Sequence, residues 1–343
     1  MKLGLSLGYS GRRMTVPVEK IQHAERLGYD SVWTAEAYGS DAITPLAYIG
    51  AITERMRLGT GIAQLAARTP ANAAMSAATV DAMAGEGRFI LGLGVSGPQI
   101  VEGWYGQPWG RPYYRVRDYV RICRKIWQRQ EPLTHDGEEI SLPFTGEGAM
   151  GIGKPLKSIL HMNPEIPVWL ATGTEAMIKL TGEIADGWLP LGFVPGMMDT
   201  FRPWLEEGVR RAGGTKTVED IEIMPQIAVI ITDDVKGAID TLKPGRALYI
   251  GGMGHKDKNF HKDAATRRGY GEACERVQEL YLAKKRDEAI AALPDELIDE
   301  EALIGPKERI AERFQAWASS GATGLKISSD QPDAIDLMAK LAF

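Results

Sequence analysis

The sequence predicts an α/β fold, a (β/α)₈ TIM barrel with insertions. Strand-like and helix-like segments alternate along most of the 343 residues, and eight strands separated by helices imply a closed parallel sheet. Turns rich in glycine, serine and threonine follow several strands, where α/β proteins bind ligands. The length suits a single barrel domain, residues 1–343, because such a barrel needs about 250 residues and tolerates insertions. An open, doubly wound sheet is the alternative.

The first four strands are short apolar segments at residues 3–7, 31–34, 58–62 and 89–93. The helix after the first strand has Pro17 in its first turn and is closed by Gly28. A second helix covers residues 45–55. Thr69 and Pro70 begin the third helix, because threonine caps free N–H groups and proline lacks the N–H that would be unpaired there.

Two insertions interrupt the second half of the chain. After a helix at 114–128, residues 131–167 are rich in glycine and proline and predict an insertion with short strands. Strands follow at 168–171, 188–189 and 221–231, with helices at 175–184 and 198–211 between them. Residues 242–294 predict a second insertion, Gly-rich and then helical. A helix at 306–319 and an eighth strand at 325–327 complete the barrel.

Charge, apolar runs and cysteine content indicate which partners the protein binds and in which compartment it works. A formal charge of −5 gives no reason to expect nucleic acid or an anionic membrane as partner. No apolar run approaches the ~20 residues of a membrane helix, and the first residues lack a signal-peptide pattern. Cys123 and Cys274 lie far apart in helical patterns and predict free buried thiols. We expect a cytoplasmic protein that acts on a small-molecule substrate.

Polar and glycine residues follow the second and third strands. Glu36 lies after the second strand, where a carboxylate can accept or supply a proton; a solvated loop carboxylate is the alternative. Gly59 and Gly61 in the third strand predict a bulge or the close approach of a flat ligand. A tight barrel corner without a ligand explains them equally well. Gln64 and Arg68 add polar groups beyond this point.

The turns after the fourth and fifth strands predict an anion site. Val95 and Ser96 follow the fourth strand, and Gly173 and Thr174 follow the fifth and open a helix. Free backbone N–H groups and hydroxyls in such turns can hold phosphate. The first turn does not match the GxGxxG spacing and is a weak signal alone. Two such turns on neighbouring strands make the anion site more credible.

The sequence lacks the motifs of several other common active sites. His255 and His261 have no further ligand at zinc spacing, so we expect no metal. Neither a Gly-x-Ser-x-Gly elbow nor a Walker A sequence is present. Aromatic residues cluster after the fourth strand, where they either line a flat cofactor or pack the insertion. They are Trp104, Tyr105, Trp109, Tyr113 and Tyr114.

Taken together, the motifs resemble the bacterial luciferase-like superfamily, and within it the coenzyme F420-dependent oxidoreductases. The resemblance extends from residue 2 to about residue 327. It is strongest in SVWTAEAYGSD (31–41), RLGTGIAQLAARTP (57–70), GRFILGLGVSGPQIVEGWYG (87–106) and ATGTEAMIKLTGEIADGWLP (171–190). TGEGAMGIGKPLK (145–157) and GGMG (251–254) also resemble one subgroup. Four ordered matches are far more specific than any one of them.

The resemblance implies roles for the turn residues. Gly61 and Ile62 fall where the family has a cis peptide forming a bulge behind the deazaflavin ring. Val95-Ser96 and Gly173-Thr174 fall where relatives bind the cofactor's phosphate and side chain, which agrees with the anion site. Glu36 falls at the family's acidic position near the ring.

The residue after this acidic position departs from the family. Related enzymes often have a histidine there as proton donor or ring partner, and this chain has Ala37. A proton would then be moved by Glu36, by a tyrosine such as Tyr9 or Tyr38, or by water.

The resemblance implies an oxidoreductase that transfers a hydride between coenzyme F420 and an organic substrate. The first alternative is an FMN-dependent luciferase-like monooxygenase that uses oxygen and a separate flavin reductase. A non-catalytic flavin-binding protein is the second. The family also implies a homodimer, for which the helix after the second strand offers an apolar face.

Overall fold

A computed structural model describes residues 1–253 and 259–343. The strands are β1 (Lys2–Gly8), β2 (Ser31–Thr34), β3 (Arg57–Thr60), β4 (Ala63–Gln64), β5 (Phe89–Gly94), β6 (His135–Asp136), β7 (Ser141–Leu142), β8 (Val168–Thr172), β9 (Gly187–Pro190), β10 (Glu222–Ile223), β11 (Gln226–Ile231), β12 (Ala302–Gly305) and β13 (Gly324–Ser328). The helices are α1 (Val18–Arg26), α2 (Thr44–Ile52), α3 (Pro70–Ala84), α4 (Pro98–Val101), α5 (Pro112–Gln128), α6 (Glu175–Ile184), α7 (Met198–Ala212), α8 (Val235–Gly251), α9 (Phe260–Ala265), α10 (Gly271–Leu282), α11 (Arg286–Ala291), α12 (Asp295–Glu300), α13 (Lys307–Ala318) and α14 (Pro332–Ala342).

The large sheet is parallel and closes on itself. Its order is β10-β9-β8-β5-β3-β2-β1-β13-β11-β12, with β4 beside β5. β10 pairs with β9, and β11 pairs with β13. β10 and β11 are the two parts of the predicted seventh strand. They are separated by Met224 and Pro225, because proline has no N–H for the sheet. β10 and β11 together thus link β9 to β13 and close the barrel, which confirms the (β/α)₈ prediction.

The barrel interior is packed with side chains. Along the strands, residues alternate between the interior and the surrounding helices, so Leu325 and Ile327 of β13 join the outer core while Lys326 faces inward. A smaller apolar group fills the interior, where the rings of Trp33 and Trp169 lie 5.0 Å apart. Ligands must therefore bind at the rim of the barrel.

Several element boundaries differ from the sequence prediction. β3 ends at Thr60 rather than at residue 62, because the backbone turns at a bulge. The sequence predicts that the second insertion begins at residue 242, but α8 begins at Val235 and runs through that point despite Pro244. β12 was not predicted; it pairs with β11 outside the barrel. Together with α8, α10, α11 and α12 it forms a separate apolar cluster.

Other local predictions are confirmed. The Thr69 hydroxyl accepts a hydrogen bond from the Asn72 N–H at 3.2 Å and caps α3. The first insertion contains the expected short strands, the antiparallel pair β6 and β7. Cys123 and Cys274 are both free and buried. In the described parts of the chain, no helix is both long and apolar enough to cross a membrane.

Candidate active site

The predicted site residues lie on one rim of the barrel. They follow β2, β3, β5 and β8, which are consecutive neighbours in the closed sheet. Because all four strands are parallel, their carboxyl ends share one edge, and the polar turns meet there. The structure therefore brings together Glu36, the Gly61–Ile62 segment, Ser96 and Gly173.

A bulge separates β3 from β4. The cis peptide bond that the family resemblance implies is present between Gly61 and Ile62. The Gly61 N–H donates to the Thr34 carbonyl at 2.6 Å. A Cβ placed on Gly94 of β5 would lie 2.8 Å from Cδ1 of Ile62, so a larger residue there would displace this side chain. The bulge is thus fitted to a glycine on the neighbouring strand.

Glu36 is buried against Arg68. The residue is 7% exposed, so the alternative of a solvated loop carboxylate is wrong. Its two carboxylate oxygens accept hydrogen bonds from Nη1 and Nη2 of Arg68 at 2.6 and 2.9 Å. They also accept from the backbone N–H groups of Gln64 and Ala42 at 2.7 and 3.0 Å. Four donors therefore satisfy this carboxylate.

The charge on Arg68 is stabilised by this pair. Burial lowers the pKa of the Arg68 guanidinium, but the hydrogen bonds and negative charge of Glu36 outweigh burial, so its pKa is raised overall. Breaking a buried pair of this kind leaves an uncompensated charge, which is costly. These contacts favour a positioning function for Glu36. Its catalytic role stays a prediction.

Gln64 links Glu36 to the bulge and retains a free acceptor. Its side-chain N–H donates to the Glu36 carbonyl at 2.9 Å, while the Glu36 N–H donates to the Ile62 carbonyl at 3.3 Å. Its Oε1 is buried and has no hydrogen-bond partner within residues 1–253 and 259–343. Buried polar atoms are normally paired. This oxygen can therefore accept a hydrogen bond from a ligand N–H.

The predicted anion site has a compact geometry. Leu93 of β5 stands opposite Leu170 of β8, so the turns that follow these strands are adjacent. Ser96 has a left-handed backbone with φ of 64°. Thr174 precedes the first turn of α6, and its side chain makes no capping hydrogen bond. The free backbone N–H groups of that turn are the donors that an anion requires.

Arg267 adds a cation that the sequence analysis missed. Its Nη2 donates to the Gly173 carbonyl at 2.6 Å. Burial lowers the pKa of Arg267, and the charge of Asp263 opposes this. The neighbouring Arg268 instead pairs with Glu300 at 2.7 Å. The pair of adjacent arginines within a helical insertion was the available signal, but sequence alone did not place it above β8.

Aromatic residues surround the mouth above Ala37. The Tyr105 hydroxyl donates to the Ala37 carbonyl at 3.1 Å, and the Trp104 ring lies 6.5 Å from that of Tyr38. Burial and the neighbouring Tyr9 hydroxyl raise the pKa of Tyr249 to about 12. Tyr249 is therefore a protonated hydroxyl at neutral pH, and it joins the tyrosines that the sequence analysis considered as proton donors.

The rest of the aromatic cluster is divided. Tyr113 and Tyr114 stack edge to face at 5.3 Å, and Arg111 lies over the Tyr114 ring. These two residues pack at the start of α5. Part of the cluster thus lies at the mouth of the barrel and part packs at the start of α5; that it lines a flat cofactor stays a prediction.

Metal binding finds no support in the described residues. Within 1–253 and 259–343, no three His, Cys, Asp or Glu side chains are grouped as metal ligands. His255 lies outside the described residues. His261 is in α9, where burial lowers its pKa to about 3, helped by the charge of Arg246. Its ring contacts Tyr249 at 4.6 Å between centroids, as a neutral packing partner.

A cleft of about 890 Å³ opens beside the carboxyl end of β1. Its walls include Ser6, Tyr9, Arg13 and Thr34. The Thr34 carbonyl also accepts the hydrogen bond from the Gly61 N–H, so the cleft adjoins the bulge. This is space in which a small organic molecule could approach the rim.

Comparison with known proteins identifies similar chains. The family model described as luciferase-like monooxygenase matches residues 5–324. A Mycobacterium tuberculosis protein provisionally named a coenzyme F420-dependent oxidoreductase is 44% identical over 343 residues, covering 99% of each chain.

Solved structures share the architecture. The coenzyme F420-dependent tetrahydromethanopterin reductase of Methanopyrus kandleri superposes with a TM-score of 0.78 at 22% identity, covering 99% of this chain and 97% of that one. An FMN complex, the oxygenating component of 3,6-diketocamphane monooxygenase from Pseudomonas putida, superposes with a TM-score of 0.66 at 17% identity, covering 99% and 97%. At these identities the two structures establish the fold alone.

Proposed function

This chain belongs to the luciferase-like monooxygenase family and is an oxidoreductase, and we propose that it binds coenzyme F420 and transfers a hydride between this cofactor and an organic substrate. The observation that carries the proposal is the grouping of three features at one rim of the barrel. The bulge, the Oε1 of Gln64 that lacks a partner among the described residues, and the turns predicted to hold an anion all follow neighbouring strands. The relative that is 44% identical is provisionally named for the same cofactor.

The residues present fit a flat ring with an anionic tail. The Gly61–Ile62 bulge would support one face of the ring. The free Oε1 of Gln64 would accept from a ring N–H, which gives this buried oxygen the partner it lacks. Val95, Ser96, Gly173 and Thr174 would hold the phosphate and side chain, with Arg267 supplying positive charge.

When bound, the deazaflavin ring supplies a carbon atom that can carry a hydride. The protein orients that ring and keeps water from it. Glu36 holds the bulge through its contacts with Gln64 and Ile62, and its negative charge is balanced by Arg68. The Tyr249 hydroxyl, whose pKa is raised to about 12, can hold a proton near the substrate.

The FMN-dependent monooxygenase is the second candidate, since one barrel fold serves both cofactors among the structures compared. The two reactions differ in their need for oxygen. Hydride transfer from reduced coenzyme F420 needs none, whereas a flavin monooxygenase needs oxygen and a supply of reduced FMN. Oxygen dependence therefore separates them.

An anaerobic turnover assay tests the proposal. Reduced coenzyme F420 would be incubated with the protein and a panel of ketones, enones and imines, and the return of oxidised-cofactor absorbance followed. We expect one equivalent of reduced product for each equivalent of cofactor oxidised, without oxygen. Product formation only with oxygen, reduced FMN and a flavin reductase would support the monooxygenase instead.

We also propose a homodimer in a reducing compartment such as the cytoplasm. Tyr48 of α2 and Met75 and Met83 of α3 are 53%, 58% and 69% exposed, and the two helices pack against each other. Large exposed apolar side chains on neighbouring helices are typical of a surface that contacts a partner. The two free buried thiols, Cys123 and Cys274, suit a reducing environment.

A further inference from the structure

One lysine lies inside the barrel. Lys326 is on β13, opposite Gly4 of β1 and Gln226 of β11. Its neighbours along the strand, Leu325 and Ile327, face the outer helices, so the lysine side chain points inward. The residue is 4% exposed. Charged side chains are almost never buried to this degree unless they are paired.

Lys326 has no such pair. In the described stretches 1–253 and 259–343, its ammonium group donates no hydrogen bond to an acceptor. The ring of Trp33 lies 5.2 Å from Nζ, measured to the ring centroid. Two other basic side chains show the usual pairing. The buried Lys243 contacts Asp295 at 2.5 Å, and the partly buried Arg57 contacts Glu222 at 2.7 Å. An unpaired buried cation is costly to the folded chain.

The ammonium group lies directly behind the bulge. A Cβ placed on Gly61 would be 2.7 Å from Nζ of Lys326. Any side chain at position 61 would therefore displace the lysine. Gly61 and Ile62 form the surface on which the ring would rest, so the charge stands below the proposed ring site.

We propose that Lys326 is a tuning residue whose positive charge favours the reduced, more negative form of the bound cofactor. This inference rests on the proposed function. A hydride brings two electrons and one proton, so its arrival adds one unit of negative charge to the ring. A cation fixed in a poorly solvated interior attracts that charge strongly. The cofactor would in turn provide the countercharge that Lys326 lacks.

The test compares the affinities of oxidised and reduced coenzyme F420, measured by fluorescence titration under anaerobic conditions. Lys326→Met removes the charge and keeps a similar shape. We expect the ratio of the two dissociation constants to shift about tenfold against the reduced form, which corresponds to a potential lower by about 30 mV for a two-electron couple. Lys326→Arg, which keeps the charge, should stay within about threefold of the natural chain.

Two controls make the outcome decisive. Lys243→Met removes a buried lysine from the second insertion and should leave the ratio unchanged; Lys326→Gln serves as a second neutral variant if the methionine variant does not fold. An unchanged ratio in a folded neutral variant that still binds the cofactor would overturn the inference and leave the proposed function intact. Failure of the natural chain to bind either form would instead overturn the proposed function, and the inference with it.

Discussion

At the scale of single residues, Glu36 links the turn after β2 to the bulge after β3. It contacts Arg68 through both carboxylate oxygens, Gln64 through a backbone N–H and Ile62 through its own N–H. Four hydrogen-bond donors hold this carboxylate in a fixed place. Its value to the site is therefore expected to lie in geometry.

Glu36→Gln should test this interpretation. The amide cannot form the charged pair with Arg68, so we expect the free energy of unfolding to fall by about 3 kcal/mol and coenzyme F420 binding to weaken. Urea denaturation and fluorescence titration would measure the two effects. Asp41→Asn is a suitable control, because Asp41 contacts Arg68 at 3.4 Å and is more exposed. A loss of turnover of ~10²-fold with stability and binding unchanged would instead establish Glu36 as an acid or base.

Lys326 gives the folded chain a distinctive dependence on pH. Burial lowers its pKa from the ordinary 10.5 to about 8. Between these values the unfolded chain binds more protons than the folded one, so this residue makes stability rise with pH across that window. Below about pH 8 the lysine is charged in both states, and its burial lowers the free energy of unfolding by its full amount, on the order of 3 kcal/mol.

The stability of Lys326→Met relative to the natural chain should therefore depend on pH. Urea denaturation without cofactor would measure the free energy of unfolding of both chains. The variant should exceed the natural chain by the largest amount at pH 7. The advantage should decline by about 3 kcal/mol toward pH 10.5. Comparing the two chains at each pH cancels the titration of buried tyrosines and cysteines. A difference that does not change with pH would mean that the lysine is not desolvated in the folded chain.

Among the elements, β5 determines whether the bulge after β3 can form. Gly92 leaves room for the Thr60 carbonyl, which would lie 1.8 Å from a Cβ at that position, and Gly94 leaves room for Ile62. The Thr60 hydroxyl also donates to the Gly92 carbonyl at 2.7 Å. The glycines of β5 thus make room for the end of β3 and for the bulge that follows it.

Gly94→Ala should displace the bulge without unfolding the barrel. Its Cβ would meet the Ile62 side chain at 2.8 Å, so Ile62 must move. We expect coenzyme F420 affinity to fall by at least about tenfold, because the ring would no longer rest on a fitted surface. Gly245→Ala in α8 has open space around the added Cβ and should bind normally. Equal affinity in both variants would separate the bulge from cofactor binding.

The turn after β8 contacts Arg267 of the insertion above it, and the two belong to the predicted anion site. Arg267→Gln should weaken coenzyme F420 binding about tenfold, since a hydrogen bond to a charged group contributes on the order of 1.5–3 kcal/mol. The salt dependence of the affinity should also decrease. Arg210→Gln, an exposed change on α7, is the control. If both variants kept the natural affinity and salt dependence, Arg267 would have no part in anion binding.

Local sequence predicted the elements that depend on neighbours in the chain. The Thr69-Pro70 start of α3 and the polar turns after β2, β5 and β8 follow from caps, glycines and strand ends. Contacts between distant residues were not predictable. The sequence marked Arg68 only as a polar residue beyond the third strand. It placed Arg267 in an insertion and Lys326 in the eighth strand, without indicating what either contacts. Their importance arises from what the closed barrel places beside them.

On the scale of the whole molecule, the barrel joins a packed interior to a polar rim. The tryptophan layer fills the middle, and the helices of the second insertion form their own apolar cluster above β11. The insertion also carries Tyr249 and Arg267 to the rim. The residues that we propose for ligand binding thus come partly from the barrel and partly from this insertion.

The exposed face of α2 and α3 predicts the state of assembly. We expect light scattering to give twice the monomer mass. The double variant Tyr48→Glu, Met83→Glu should be monomeric, because charges at an apolar contact oppose burial. Phe144→Glu in the first insertion is a control, as this ring is exposed elsewhere. A dimer that persists in the double variant would place the interface on another face.

The most direct test of the central claim is a fluorescence titration of the natural chain with coenzyme F420 and, separately, with FMN. The claim is that the bulge, Gln64 and the turns after β5 and β8 form a deazaflavin site. It predicts micromolar binding of coenzyme F420 and much weaker binding of FMN. Tight binding of FMN without affinity for coenzyme F420 would contradict the claim and point to an oxygen-using monooxygenase.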